Sequence, residues 1–312
     1  MNDVHKVQVD LSIKLPGFNM ANPITTASGT FGYGREYEKY IDLSRLGALT
    51  TKALTYEPRM GNSGQRLIET PAGLINSIGL MNPGLKSFLQ IVLPDLRMIS
   101  SLPIIVNISG NSVEEYAALA EALDVEEGIS ALEVNISCPN VKQGGMAFGA
   151  SPQSASQVTK AVRNKTKLPL FIKLTPNVGD ISSIAQAVQA EGAEGLSLIN
   201  TVLAMEIDIK TRKPVLNAVF GGLSGPAIRP IALRCVYQCY KATKMPIIGM
   251  GGVANWRDAV QFMMAGASAV AVGSINFRNP MATIDIIEGL EQWCCDEGVA
   301  KLSDIVGVAH NF

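Results

Sequence analysis

The sequence predicts an α/β protein of the (β/α)8, or TIM, barrel class, with long loops and a hairpin inserted at the C-terminal face. Two observations carry this: eight short apolar runs, and amphipathic helical patterns between them. The runs cover residues 23–26, 49–52, 104–107, 132–136, 170–173, 195–199, 247–249 and 269–272. Most are apolar throughout rather than alternating, as strands read when both faces of a parallel sheet are covered. Eightfold strand–helix alternation favours a closed barrel over an open, doubly wound sheet.

The helices have recognisable starts and stops. Ser112-x-x-Glu115 reads as a capping box ahead of residues 116–123. Asp180 caps residues 181–190, with Gly192 as the stop, and Asn255 caps residues 256–265, with Gly266 behind them. Asn279-Pro280 supplies a cap and a first-turn proline for the last helix. Two connections exceed plain βα loops. Residues 53–102 carry Pro, Gly and Asn punctuation, and residues 201–246 contain a hairpin, with arms at 206–209 and 215–220 around 210–214. Long insertions in a compact fold are usually lids or binding loops. No linker divides the chain, so residues 1–312 are expected to form one domain.

Composition narrows the function. With 47% hydrophobic and 17% charged residues, the chain has enough apolar surface to offset its conformational entropy. A net charge of -1 lacks the basic footprint of a nucleic-acid binder. The first residues lack a signal-peptide core, and no stretch approaches the ~20 apolar residues of a membrane span. The expected location is therefore the cytoplasm, with no membrane partner. The three N-x-[ST] matches, at Asn107, Asn135 and Asn164, are then chance. The five cysteines are odd in number and contain no C-x2-C set, so neither structural zinc nor an iron–sulfur cluster is expected on this chain. Cys235 with Cys239, and Cys294 with Cys295, read as helix packing.

In a barrel of this kind the active site lies at the C-terminal strand ends. Those ends carry Ser28, Lys52, Asn107, Asn135 with Cys138, Lys173, Asn200, Gly251-Gly252 and Gly273-Ser274. The two histidines, His5 and His310, lie at the chain's extremes, and no carboxylate cluster faces the site. Metal-assisted hydrolysis and Ser-His-Asp chemistry are poorly supported. The run from Gly249 to Ala254 matches a dinucleotide fingerprint, but the next strand ends in Val272-Gly273-Ser274, without the acid that motif needs. Two glycine turns after strands seven and eight instead describe a barrel phosphate site, or else simple tight turns. Residues 221–226 could add further donors. Lys52 and Lys173 end apolar strands, which favours an anionic ligand over two outward-reaching side chains. Cys138 lies on the loop after Asn135. Its chemistry alone leaves a base, a nucleophile and an inert buried thiol all open.

These residues resemble the dihydroorotate dehydrogenases that use a cysteine base. Asn135-Ile-Ser-Cys138-Pro-Asn140 is similar to their catalytic loop, Thr51-Lys52-Ala53 to their strand-two lysine motif, and the run from Asn76 to Gly84 to their substrate loop. Ile199-Asn200-Thr201, Gly222 to Pro226, Gly249 to Gly252 and Val272-Gly273-Ser274 follow in family order, so the likeness covers about residues 7–290. The run from Pro58 to Thr70 looks most like the NAD-linked, two-subunit class (class 1B). Gly64-Gln65 departs from the pattern, which has a proline there.

The resemblance implies an FMN-dependent oxidoreductase that converts (S)-dihydroorotate to orotate in pyrimidine (UMP) biosynthesis. It places the FMN phosphate on Gly225, Gly251, Gly252, Gly273 and Ser274. It puts the flavin ring against Ser28, Lys52, Ala53, Asn107, Asn135, Lys173 and Ile199. It assigns dihydroorotate to Lys52, Asn76, Ser77, Ile78, Gly79, Leu80, Asn135, Asn200 and Thr201. Cys138 takes the C5 proton while C6 delivers a hydride to flavin N5, with Lys52 and Lys173 as catalytic cations. An accessory subunit carries FAD and a 2Fe–2S cluster, and the catalytic chains pair as a homodimer inside a heterotetramer. A fumarate-linked enzyme of the same family and a dihydropyrimidine dehydrogenase-type FMN subunit are the alternatives.

Overall fold

The parallel strands β1 (Ile24–Thr26), β2 (Leu49–Thr50), β3 (Ile104–Ile108), β4 (Ala131–Asn135), β5 (Leu170–Leu174), β6 (Gly195–Leu198), β7 (Ile247–Met250) and β8 (Ala269–Val272) form one sheet in the order 1-8-7-6-5-4-3-2. The structure is a computed structural model and describes residues 9–98, 102–137, 139–140 and 146–311. All eight apolar runs of the sequence lie on these strands. Three ends move: Lys52, Ile136 and Ile199 fall just beyond the strands they were expected to finish.

Side chains join β1 to β2. Thr26 Oγ1 donates to the Thr50 carbonyl at 3.1 Å and accepts from the Thr50 N–H at 3.0 Å. A hydroxyl pair, Thr25 Oγ1 and Thr50 Oγ1, adds 3.1 Å of separation beside it. The seam is built from threonine because a hydroxyl both donates and accepts. An antiparallel hairpin, Ile13–Leu15 with Phe18–Met20, covers the opposite end of the barrel. A Cβ on Gly17 would stand 2.4 Å from Pro169 Cγ, just ahead of β5, and Phe18 meets Phe171 edge-on.

Around the barrel run α1 (Gly84–Ser87, a π turn Phe88–Val92, then Leu93–Arg97), α2 (Val113–Asp124), α3 (Pro152–Arg163), α4 (Ile181–Ala190), α5 (Arg229–Thr243), α6 (Trp256–Met264) and α7 (Ala282–Glu297). Two 3-10 turns, Arg35–Tyr37 and Leu43–Arg45, replace a helix between β1 and β2. Asp180 and Asn255 cap as expected, and Asn255 forms a closed capping box with Asp258. The box expected at Ser112 is half formed. Ser112 Oγ accepts from the Glu115 N–H, but the Glu115 carboxylate turns to the Asn111 N–H at 2.7 Å. Asn279 accepts from the Met281 N–H, and α7 begins only at Ala282, behind a lead-in turn. Cys235, Cys239 and Cys294 are buried, whereas Cys295 is exposed, a correction to its reading as packing.

The inserted hairpin is shorter than expected. Ile207–Asp208 pairs with Lys213–Pro214, while Asp208 Oδ1 accepts from the Lys210 N–H at 2.8 Å in the turn. Residues 215–220 form no strand: Val219 has φ 65°, which breaks an extended run. Instead Gly221–Ser224 joins a second, antiparallel sheet with Val202–Ala204, Gly73–Asn76 and Leu67–Thr70. This sheet was not foreseen. It ties both long insertions together, with Gly222 opposite Asn76.

Thr26→Val keeps the shape of the seam and removes the hydroxyl, leaving the Thr50 N–H and C=O unpaired in a buried setting. The expected loss is about 1–3 kcal/mol per unpaired group in urea unfolding. A variant as stable as the parent would show that the seam contributes nothing.

Candidate active site

Strand parity aims a polar layer into the upper barrel. Register pairs Asn107 with Glu133, Glu133 with Phe171, Asn135 with Lys173, and Lys173 with Ser197, so all six share a face. That face is the inner one. Lys173 Nζ on β5 reaches Ser28 Oγ, beyond β1, at 2.9 Å, and these strands are not neighbours in the sheet.

Lys173 also pairs with Glu133 Oε1 at 3.2 Å, and the same oxygen accepts from Asn107 Nδ2. Glu133 is 0% exposed and Lys173 5%. Among the described residues, Glu133 Oε2, Asn107 Oδ1 and Ser197 Oγ are buried without hydrogen-bond partners. Asn135 Oδ1 accepts from the Ser137 N–H at 3.2 Å and from Asn200 Nδ2 at 3.3 Å, while its carbonyl takes the Tyr116 hydroxyl at 2.6 Å. Ser137 Oγ bonds the Lys173 carbonyl at 3.1 Å, anchoring the start of the loop to β5. Cys138 lies outside the described residues.

The second sheet brings further candidates over this end. Asn76 Nδ2 donates to the Gly222 carbonyl at 3.0 Å, and a Cβ on Gly222 would stand 2.0 Å from Thr201 Oγ1. The Thr201 N–H is held by Asn200 Oδ1 at 2.8 Å. Asn62 clamps the loop after Asn76. Its Nδ2 donates to Ser77 Oγ at 2.8 Å, and its N–H to the Ile78 carbonyl at 3.0 Å. Gly79 and Leu80 both adopt positive φ, and Asn82 Nδ2 fixes the Leu80 carbonyl at 2.8 Å.

Lys52 holds its backbone N–H on the Gly32 carbonyl at 3.0 Å. Among the described residues its Nζ has no hydrogen-bond partner, which leaves the ammonium free for an anion. Burial lowers its pKa, Glu36 opposes the shift and Arg66 adds to it. Ala53 is buried beside it.

The glycine turns converge. Gly225, Gly251 and Gly252 have φ of 96°, 119° and 84°. A Cβ on Gly252 would stand 2.7 Å from the Gly225 carbonyl oxygen, and one on Gly251 would stand 3.2 Å from Ile199 Cγ1. At Gly252 the facing backbone leaves no room for a side chain, and at Gly251 the positive φ and the packed Ile199 side chain disfavour one. Gly273 leads into a 3-10 turn, Ser274–Phe277, beyond β8.

Glu133 belongs to none of the motifs that mark the site in the sequence. Its signal was a carboxylate inside an apolar run, two residues before Asn135 and so on the same strand face. Asn62 and Asn82 lie in matched motifs but carried no role. Their work is loop clamping, visible only once the loop is folded.

A family model for dihydroorotate dehydrogenase matches residues 10–293. The chain belongs to the dihydroorotate dehydrogenase family. It is 54% identical over 304 residues, 97% of this chain and 100% of the relative, to a Desulforamulus reducens protein named dihydroorotate dehydrogenase B (NAD(+)), catalytic subunit. Proteins of the same name from Desulforudis audaxviator and Pelobacter propionicus are 50% and 51% identical over 97% and 96% of this chain, and 99% and 98% of their own lengths. The relatives' name implies a partner subunit. Among the described residues, no helix is long and apolar enough to cross a membrane.

Because its pKa is lowered on folding, Lys52 binds fewer protons folded than unfolded. Its cost to stability is present at neutral pH and fades as pH rises toward the ordinary 10.5. Lys52→Met is expected to unfold at a urea midpoint no lower than the parent's at pH 7, with any advantage shrinking toward pH 10. A variant clearly less stable at pH 7 would contradict this reading.

Proposed function

We propose that this chain is the catalytic subunit of an NAD-linked dihydroorotate dehydrogenase, oxidising (S)-dihydroorotate to orotate in pyrimidine biosynthesis. The observation that carries the proposal is a glycine cradle and a layer of amides and ammonium groups meeting at one barrel mouth. The residues suit FMN. A Cβ on Gly252 would crowd the Gly225 carbonyl and fill the cradle, and the buried Asn107 Oδ1 and Ser197 Oγ, without partners among the described residues, suit polar groups. When bound there, FMN supplies the hydride acceptor.

Gly225, Gly251, Gly252, Gly273 and Ser274 hold the phosphate, with backbone N–H groups as donors. Ser28, Lys52, Ala53, Asn107, Asn135, Lys173 and Ile199 border the ring. Lys52 meets the substrate carboxylate as a free ammonium. Asn76, Ser77, Ile78, Gly79, Leu80, Asn135, Asn200 and Thr201 surround the pyrimidine, whose alternating carbonyl and N–H groups match amides that both donate and accept. Cys138 accepts the C5 proton. Ser137, pinned to β5, sets where that loop starts. Lys173 faces the charge that develops during the reaction, where a preorganised cation counts most.

An accessory subunit carrying FAD and a 2Fe–2S cluster links the chain to NAD, and two catalytic chains pair inside the resulting heterotetramer, in the cytoplasm. The relatives' names, which carry NAD(+) and the words catalytic subunit, support the link to NAD and a partner subunit.

Cys138→Ala is expected to lower dihydroorotate-dependent turnover about 10²–10⁴-fold at unchanged FMN content, the usual contribution of a general base. Undiminished turnover would remove Cys138 from the mechanism. Gly252→Ala, strained by its φ and by the Gly225 carbonyl, is expected to weaken FMN uptake at least roughly tenfold in a fluorescence titration. Parent protein that takes up no FMN would overturn the proposal.

A further inference from the structure

We propose that Glu133 is the positioning residue that keeps Lys173 charged and aimed at the cofactor end of the barrel. The inference deepens the functional reading above and rests on it. Glu133 sits on β4, with its carboxylate completely enclosed. An aliphatic side chain would suit the surrounding run, Ala131-Leu132-x-Val134, and would avoid the desolvation of a charge. The carboxylate instead gives one oxygen to two neighbours already placed against the cofactor, Lys173 Nζ at 3.2 Å and Asn107 Nδ2. Its second oxygen binds nothing among the described residues.

The other groups facing Lys173 cannot hold a proton on it. Ser28 beyond β1, Asn107 from β3, Asn135 from β4 and Ser197 from β6 are neutral. Lys52 beyond β2 is a cation at the same end and opposes a second charge. An ammonium buried to this degree without an anion tends to shed its proton. Glu133 supplies the anion from below, so the remaining N–H of Lys173 keeps its charge and its direction. Without Glu133, Lys173 would lose its proton while the flavin is oxidised. It would regain one when reduction places negative charge beside it.

The test is the midpoint potential of FMN bound to the full-length chain, measured from pH 6 to 9. The parent should show no contribution from Lys173. In Glu133→Gln, one further proton accompanies the two electrons above the new Lys173 pKa. The slope should steepen by about 30 mV per pH unit, a tenfold change in equilibrium constant for a two-electron couple. The double variant Glu133→Gln/Lys173→Met leaves no unpaired buried charge and should lose the steepening. Parent and Glu133→Gln traces that run parallel throughout would overturn the proposal, as would steepening that survives in the double variant. Should Glu133→Gln not fold, Glu133→Asp decides. Its shorter carboxylate should move the break into the upper part of the range, and a trace superimposed on the parent's overturns the proposal. Failure of the parent to load FMN would defeat the functional reading itself, whereas loaded proteins with parallel traces defeat only the role of Glu133.

Discussion

The buried ion pair between Lys173 and Glu133 is the constraint around which the catalytic end of this barrel is organised. Taking two charges out of water costs several kcal/mol per ion, and the attraction between them returns that only with good geometry and further hydrogen bonds. Ser28, just beyond β1, and Asn107 on β3 provide those bonds, so the pair draws in chain from across the barrel. A barrel packed only with aliphatic layers would be simpler to stabilise. Here Phe171, edge-on to Phe18, faces the hairpin end of the barrel, and Asn135, Lys173 and Ser197 lie toward the other end. That division separates the part of the fold that carries stability from the part that meets small molecules.

Backbone crowding does a second, complementary job. Gly225 and Gly252 come from loops after β6 and β7, and they approach so closely that no side chain fits on Gly252, while Gly251 beside them packs against Ala232 and Ile199. Close approach exposes peptide N–H groups at the places where strands hand over to helices. The Asn255–Asp258 capping box fixes the start of α6 immediately behind the turn. Arg229, at the start of α5, pairs with Asp258 and joins the two helix starts. The cradle is thus held by polar bonds outside it.

Much of this was legible from residue order. Continuous apolar runs marked the strands because both faces of a parallel sheet are buried. Lys173 and Asn135 could be placed because strand ends in a barrel point to one mouth. Glu133 was missed because a single acid inside an apolar run reads as noise until its two-residue spacing from Asn135 is weighed. The Ser112 box was half wrong because the Glu115 carboxylate takes the Asn111 N–H instead. The second sheet was missed because its strands are three or four residues long and come from insertions more than a hundred residues apart. No local pattern announces such a pairing.

By itself, then, the order of residues determined the barrel class, the strands, the mouth as the site of chemistry and the family. Those depend on local periodicity and on motifs a few residues long. Only the tertiary structure decided that Glu133 stands beneath Lys173, that Thr26 joins β1 to β2, and that Asn76 and Thr201 meet across Gly222. These are contacts between residues far apart in the chain. Their formation depends on how strands register and how closely backbones approach, quantities that exist only once the core has packed.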